Sequence, residues 1–163
     1  HELFLKNIQI FLFLSKGLNV HISSNLDKHS SYGDHSTFKK DCLVASSKLG
    51  SNIIIHEKSL IKRSELADFV SINANCKVNS SSIGSYSYVA ESSEISSATI
   101  GKFCSIGAEV WIGVGKHPSN FISTSPVFYS TLKKQLGFSF TDKQLFEELA
   151  DALLAMTCGL VPE

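Results

Sequence analysis

An internal repeat of large apolar residues constrains the fold of this chain more than any other feature of its sequence. Such residues recur in steps of six, six and five positions, and the resulting 17-residue cycle runs through five successive rounds. The positions are Tyr32, Phe38, Val44, Leu49, Ile55, Ile61, Leu66, Ile72, Val78, Ile83, Val89, Ile95, Ile100, Ile106 and Ile112. A six-residue step suits neither the period of an α-helix nor the alternation of a hairpin, whereas it suits a short strand followed by a corner.

Three such steps close a triangular coil, so the cycle predicts an all-β fold. We expect a left-handed parallel β-helix of about five hexapeptide-repeat coils over residues 32–113. Stacked coils pair their strands in parallel at a spacing of about 4.8 Å. Each column of aliphatic residues then forms a ladder inside the prism.

The cycle also predicts the residue types at two further positions. The fourth residue after each aliphatic residue should point inward and be small, with Ile53, Lys48 and Glu65 as exceptions. The residues that fit are Ser59, Val70, Cys76, Ser82, Ser87, Ser93, Thr99, Cys104 and Val110. The residue directly after each aliphatic should lie at a tight corner, where glycine or asparagine tolerates unusual backbone dihedrals, and examples are Gly33, Gly50, Asn73, Asn79, Gly84, Gly101, Gly107 and Gly113.

The repeat divides the chain into four segments. Residues 1–31 are predicted to form an N-terminal capping segment, whose apolar opening is too short for a membrane span and lacks a signal-peptide cleavage site. Residues 114–141 are predicted to form a loop, which the family resemblance given below implies to be of catalytic type. Residues 142–163 are predicted to form a short helix or tail, with Asp142 as its N-terminal cap.

Composition excludes several classes of function. The formal net charge is +0, so a nucleic-acid partner is not expected. The four cysteines contain no Cys-x-x-Cys pair, so neither a metal site nor a disulfide framework is indicated, and a cytoplasmic location fits. No transmembrane segment is predicted.

Two stretches of the sequence resemble a known family. They are Ile100-Gly-Lys-Phe-Cys-Ser-Ile-Gly107, and a following segment of the form Gly-x-His-Pro-x-Asn-x-x-Ser-Thr-x-Pro-x-Phe that begins at Gly115. Both are similar to the hexapeptide-repeat acyltransferases, in the branch of xenobiotic (chloramphenicol and streptogramin) and polysaccharide O-acetyltransferases. The resemblance implies acetyl-coenzyme A as co-substrate and a homotrimer with active sites between the prisms.

The resemblance also implies roles for individual residues. Family members carry a histidine on a long loop, and the matching residue here is His117. Asn120 fits the Asp or Asn that often follows three positions later, whereas Ser125 stands where many members have a second histidine. That departure leaves the acceptor open, either a hydroxyl of a sugar or polysaccharide precursor, which we favour, or the hydroxyl of an antibiotic.

The residues themselves favour direct acetyl transfer. A histidine can act as general base near neutral pH, and His117 lies in a loop beside a proline rather than at an apolar hexad position. No serine or cysteine occupies a nucleophile motif, so an acyl-enzyme is not expected. Candidate substrate-binding residues are Asn120, Ser123, Thr124 and Trp111. The first three are expected to shape the loop rather than to react, and Trp111 could equally pack on the surface. Coenzyme-binding residues are not assigned, and Phe121, Phe128 and Tyr129 are interpreted as loop anchors.

The end of the chain departs from the family, whose members add further coils after the loop. One possible back-translation of Met156–Glu163, read in a shifted frame, encodes Asn-Asp-Val-Trp-Ile-Gly-Ala-Gly, which resembles the re-entry sequence of the family. We therefore expect a C-terminally truncated acetyltransferase, with a frameshift near residues 149–152. The alternative functions are an inactive remnant and a β-helix scaffold, while an ice-binding β-helix is disfavoured because the outward columns are irregular.

Overall fold

The backbone of the computed structural model winds into a stack of short parallel strands. The structure describes residues 16–132, 137–148, 152–154 and 159–160. The strands are β1 (Asn19–Val20), β2 (Asn25–Leu26), β3 (Ser31–Tyr32), β4 (Thr37–Phe38), β5 (Leu43–Ala45), β6 (Lys48–Leu49), β7 (Ile54–Ile55), β8 (Leu60–Lys62), β9 (Glu65–Leu66), β10 (Ser71–Ile72), β11 (Lys77–Asn79), β12 (Ser82–Ile83), β13 (Tyr88–Val89), β14 (Glu94–Ser96), β15 (Ala98–Ile100), β16 (Ser105–Ile106), β17 (Trp111–Ile112), β18 (Ala152–Leu154) and β19 (Gly159–Leu160). A 3₁₀-helix spans Pro126–Phe128.

Every third strand belongs to the same sheet, as a triangular coil requires. The first sheet has the order β1-β4-β7-β10-β13-β16-β19, the second β17-β14-β11-β8-β5-β2 and the third β18-β15-β12-β9-β6-β3. All pairs are parallel, and through the regular part each residue pairs with the one 17 positions further on, as Ser71 does with Tyr88. The predicted all-β parallel β-helix is therefore confirmed, at about six turns, and its architecture is consistent with a left-handed coil.

The core of the solenoid consists of the predicted aliphatic ladders. From Phe38 to Ile112 every residue of the predicted cycle is buried, and Tyr32 is partly buried against them. Burying one such side chain stabilises the fold by about 1.5–3 kcal/mol. The repeat therefore supplies a continuous apolar column in which each coil rests on the next.

The small inward positions follow the predicted rule on six-residue steps, where Ser59, Cys76 and Ser87 are buried, and depart from it on five-residue steps. The inward residue always stands two positions before the aliphatic residue, as Ser59 stands before Ile61. On the side with the five-residue step, this places the buried positions at Ser47, Ser64, Ser81 and Ala98. The prediction was wrong for Ser82 and Thr99, which face outward, because the shorter corner moves the inward position one residue earlier. The same shift explains the two exceptions, Lys48 and Glu65, which also face outward.

The buried hydroxyls of these positions connect neighbouring coils. Ser59 donates to the carbonyl oxygen of Asn73 at 2.7 Å and accepts from the N–H of Cys76 at 3.1 Å. In the described part of the chain, no buried side-chain nitrogen or oxygen lacks a hydrogen-bond partner. Serine is thus compatible with this core because both of its hydrogen-bonding roles are used there.

The corners also differ from expectation, because the left-handed residue is not the one after the aliphatic. It stands three positions after the aliphatic on six-residue steps and two positions after it on five-residue steps; the corner residues are His35, Asp41, Ser46, Asn52, Lys58, Arg63, Phe69, Asn75, Ser80, Tyr86, Ser92, Ser97, Phe103 and Glu109. For a non-glycine residue this conformation costs about 1–2 kcal/mol. Hydrogen bonds between coils offset that cost, such as the one from the N–H of Phe69 to the carbonyl oxygen of Ser51, at 2.9 Å.

The glycine after an aliphatic residue has another reason to be there. A Cβ on Gly84 would lie 2.6 Å from the carbonyl carbon of Gly101 in the next coil. Real Cβ atoms do not approach backbone that closely. Gly33, Gly50 and Gly84 therefore permit close stacking of the coils and do not supply an unusual φ. Among the named glycines and asparagines, only Gly113 is left-handed as predicted, with φ +69°.

The solenoid begins earlier than the sequence predicts. Strands β1 and β2 lie within the predicted capping segment and pair with β4 and β5. The pairs show why the cycle does not reveal them: Leu26 pairs with Val44, 18 positions on, whereas Tyr32 pairs with Leu49, 17 positions on. A strict 17-residue cycle points instead to the polar Asp27. Residues 1–15, which the prediction includes in the cap, lie outside the described residues.

The C-terminal segment returns to the solenoid as strand. The predicted short helix was wrong for the described residues, because residues 142–148 contain no helix. Leu154 pairs with Ile100, and Leu160 pairs with Ile106. The six-residue step thus resumes after the loop in the given reading frame. The frameshift remains a prediction, which the gene sequence tests.

Candidate functional site

The candidate site lies on the long loop between β17 and β18. The loop leaves the solenoid at Gly113, whose φ is +69° and where a Cβ would lie 1.6 Å from the carbonyl oxygen of Ser96. The chain returns at Ala152, whose N–H donates to the carbonyl oxygen of Ser97 at 3.0 Å. The loop therefore leaves and rejoins the solenoid beside two neighbouring residues of one corner, Ser96 and Ser97. At position 113, where it leaves, only glycine fits.

A second contact closes the base of the loop beside His117. The N–H of Lys116 donates to the carbonyl oxygen of Glu148 at 2.7 Å. If the regular cycle continued, Ile100 would pair with position 117, but it pairs with Leu154 instead. His117 is thus released from the ladder, and its side chain is exposed while the neighbouring Pro118 is buried.

The His117 imidazole is held by one nitrogen. Its Nδ1 lies 2.8 Å from the phenol oxygen of Tyr129. The Tyr129 hydroxyl in turn donates to the carbonyl oxygen of Thr124 at 3.2 Å. Within the part of the chain that the structure describes, no hydrogen bond engages Nε2, and the residue is exposed.

Tyr129 is the buried centre of the loop. Its side chain is 0% exposed, and its ring meets those of Phe121 and Phe146 edge to face, at centroid distances of 6.0 and 5.7 Å. The backbone is held by the 3₁₀-helix before it and by Leu145, whose N–H donates to the Tyr129 carbonyl oxygen at 2.8 Å. Burial, and then the charge of Glu148, raise the pKa of the Tyr129 phenol, so the group keeps its proton.

The structure separates the other predicted site residues. Asn120 and Ser123 line an apolar pocket of about 450 Å³ that is formed by Asn120, Phe121, Ile122, Ser123, Phe128 and Leu145. Ser123 also accepts a hydrogen bond from the N–H of Ser125 at 3.1 Å, which shapes the loop. Thr124 joins His117 only through its backbone carbonyl, by way of Tyr129.

Trp111 belongs to the prism and not to the loop. It lies in β17, opposite Glu94 in the second sheet, and its side chain is 69% exposed on the outward face. Its predicted contact with substrate remains a prediction. A larger polar groove of about 550 Å³ runs along the serine-lined corner from His29 to Thr99 and contains no loop residue.

The sequence predicts Tyr129 only as a packing anchor and does not reveal that its hydroxyl contacts His117. The available signal was modest: Tyr129 is the only tyrosine after residue 113 and stands twelve positions after His117. Among the described residues, no group of three or more His, Cys, Asp or Glu side chains could hold a metal ion. In the same residues no helix is long and apolar enough to cross a membrane.

The comparisons with known proteins give structural likenesses only. No protein-family model matches this chain, and no curated protein matches it. It is similar to the acetyltransferase domain of PglB from Neisseria gonorrhoeae FA1090, with 17% identity and a TM-score of 0.35 over 57% of this chain and 50% of that one. For the same domain in complex with acetyl coenzyme A, the identity is 14% and the TM-score 0.32, over 59% and 52% of the two chains.

A third similar structure is a mutant of GDP-perosamine N-acetyl transferase from Caulobacter crescentus, in complex with CoA and GDP-perosamine. The identity is 13% and the TM-score 0.44, over 60% of this chain and 53% of that one. This chain thus matches about half the length of each of these structures. Its own fold is established by its strand ladders.

Proposed function

We propose that this chain is an acetyl-coenzyme A-dependent O-acetyltransferase in which His117 is the general base. The observation that carries the proposal is the exposed imidazole, anchored through Nδ1 and open at Nε2, within the loop motif that resembles such enzymes. A ring held by one nitrogen presents the other in a defined direction. General-base catalysis requires this geometry, because the base must meet the hydroxyl proton within hydrogen-bond distance.

The proposed reaction is a direct transfer. The acceptor hydroxyl oxygen attacks the thioester carbonyl carbon while its proton moves to Nε2 of His117, and a C–O bond forms. The C–S bond then breaks, and the proton passes from Nε2 to the leaving sulfur. The products are an acetyl ester and the free thiol of coenzyme A, and the histidine returns to its neutral form.

The acceptor in this proposal is a hydroxyl of a sugar or polysaccharide precursor. The apolar pocket within the loop supports an acceptor that carries a hydrophobic part, since Phe121, Ile122 and Phe128 line it. Asn120 and Ser123 at its edge provide polar groups that could orient a hydroxyl. An aromatic antibiotic such as chloramphenicol is the competing acceptor for the same pocket.

The proposal also includes a homotrimer and a cytoplasmic location. The exposed apolar residues of the loop, such as Ile122 and Phe140, support burial against another subunit. Light scattering of the full chain measures its oligomeric state. Cys42 and Cys76 are buried free thiols, which fits a reducing compartment.

The test is a transfer assay on the full chain with acetyl-coenzyme A, which follows thiol release and the mass of the acceptor. Aryl glycosides and chloramphenicol are the two acceptor sets. His117→Ala is expected to lower the rate by about 10²- to 10⁴-fold, the range for loss of a general base. His56→Ala, at a corner of the prism, is the control and should leave the rate unchanged.

Two results would contradict the proposal. One is a His117→Ala rate within a few-fold of the unsubstituted chain. The other is the absence of any acetyl transfer to either acceptor set, which would favour the scaffold alternative.

A further inference from the structure

We propose that Tyr129 is a positioning residue that holds His117 in the tautomer with hydrogen on Nδ1, so that Nε2 is the proton-accepting atom. This inference rests on the proposed function for its catalytic meaning. The tautomer itself follows from contacts within the loop and can be measured without any substrate.

The tautomer follows from the number of protons available to three hydrogen-bonded groups. His117 Nδ1, the Tyr129 hydroxyl and the Thr124 carbonyl are joined by two contacts, of 2.8 and 3.2 Å. Each contact needs one proton. The phenol has a single proton, and the carbonyl can only accept.

Only one arrangement satisfies both contacts. If Tyr129 donates to Thr124, Nδ1 must carry the second proton and donate it to the phenol oxygen. If Tyr129 instead donated to Nδ1, its oxygen and the Thr124 carbonyl oxygen would face each other with no proton between them. That arrangement is unfavourable, because the Thr124 carbonyl would lose its proton donor and two oxygens 3.2 Å apart would repel each other.

The surroundings of Tyr129 hold the phenol in place for this role. Its ring is fully buried and is packed against Phe121 and Phe146. Burial also raises the pKa of the phenol, so that it remains a donor to Thr124. The hydroxyl therefore has little freedom to turn away from either partner.

The same arrangement serves the proton-transfer step. When Nε2 takes the acceptor proton, the ring becomes an imidazolium and its Nδ1–H continues to donate to the Tyr129 oxygen. That hydrogen bond strengthens because its donor is now charged. A neutral tyrosine thus does for His117 what an orienting carboxylate does in other histidine bases.

The decisive experiment is an NMR measurement of histidine tautomers on the full chain with ¹⁵N-labelled histidine. Two-bond ¹H–¹⁵N correlations distinguish a protonated Nδ1 from a protonated Nε2, and His117→Ala identifies the relevant signals. We expect protonated Nδ1 in the unsubstituted chain. Tyr129→Phe keeps the ring but removes the hydroxyl, and should shift His117 towards the Nε2–H tautomer.

Tyr88→Phe is the matched control, since Tyr88 lies on the outward face of β13 and should leave the His117 signals unchanged. A His117 that carries its proton on Nε2 in the unsubstituted chain would overturn the proposal. So would a tautomer that does not respond to Tyr129→Phe in a variant whose thermal unfolding is unchanged.

Kinetics provide a second readout, under the proposed function. Tyr129→Phe should lower kcat by roughly 3- to 30-fold, as expected for loss of one orienting hydrogen bond, while KM for the acceptor stays within about two-fold. An unchanged kcat contradicts the positioning role. A chain with the expected tautomer but no acetyl transfer refutes the proposed function and leaves the tautomer assignment intact.

Discussion

The departure point of the loop provides a quantitative test of how the prism and the candidate site are connected. Gly113 is left-handed at φ +69°, and an added Cβ would lie 1.6 Å from the Ser96 carbonyl oxygen. Gly115, two residues later, has no positive φ, and the nearest atom to its added Cβ is the Glu148 carbonyl oxygen at 3.8 Å. Gly113→Ala and Gly115→Ala therefore form a matched pair in one loop.

Two costs add for Gly113→Ala. The left-handed conformation costs about 1–2 kcal/mol for alanine. Moving the Ser96 backbone or the start of the loop to relieve the overlap costs about 1–3 kcal/mol, the range for overpacking. We expect the free energy of unfolding to fall by about 2–5 kcal/mol for Gly113→Ala. For Gly115→Ala, where the contact is ordinary, we expect a change within about 0.5 kcal/mol.

Urea unfolding followed by circular dichroism measures both values. Amide hydrogen exchange adds a local readout, because the N–H groups of Lys116 and Ala152 bond across the base of the loop. These two amides should exchange faster in Gly113→Ala. Equal stability of Gly113→Ala and the unsubstituted chain would refute the reasoning, as would an equal loss in Gly115→Ala.

Two further predictions concern the prism. Ile55→Ala should lower the free energy of unfolding by about 2–5 kcal/mol, whereas the adjacent Ile54→Ala should change it by less than about 1 kcal/mol. The reason is that the Ile55 side chain is 0% exposed and the Ile54 side chain 41% exposed. Similar losses of stability in the two variants, measured by urea unfolding, would contradict the assigned ladder. Burial raises the pKa of the Asp27 carboxyl. Hydrogen bonds from Ser30 and from the Ser46 N–H outweigh this effect, so the pKa lies below its ordinary value of 3.8. The stability that the Asp27 carboxylate adds is present above pH 3.8 and is lost as the pH falls through the lowered pKa. The Asp27→Asn variant should therefore be less stable than the unsubstituted chain at neutral pH and as stable at strongly acidic pH. A difference in stability that persists in acid would refute the assignment.

The ladders were predictable because a solenoid is a local structure. Each coil contacts only the coils before and after it, so the same inward position recurs at a fixed sequence interval. Ile72 therefore needs no information about distant parts of the chain to be assigned to the core. The prediction failed where that interval changes, as at Leu26, which pairs 18 positions on.

The inward and corner positions were predicted less well for a related reason. The spacing of aliphatic residues shows how long each step is, but not which end of a step is shortened. In the structure the corner loses the residue, so Ser81 is buried and Ser82 faces outward. The left-handed corner residue moves with it, and the left-handed conformation falls on bulky residues such as Phe69 and Tyr86 rather than on the residue directly after the aliphatic.

The sequence by itself therefore determined the repeat, the fold class, the point near Ile112 where the repeat is interrupted, and the histidine that follows it. Only the tertiary structure decided that Tyr129 holds His117, that Gly113 is the point of departure, and that Leu154 takes the place in the ladder that His117 vacates. The physical reason is that periodic contacts repeat along the sequence and can be counted there. The contacts of the loop occur once each, between residues whose separation follows no period.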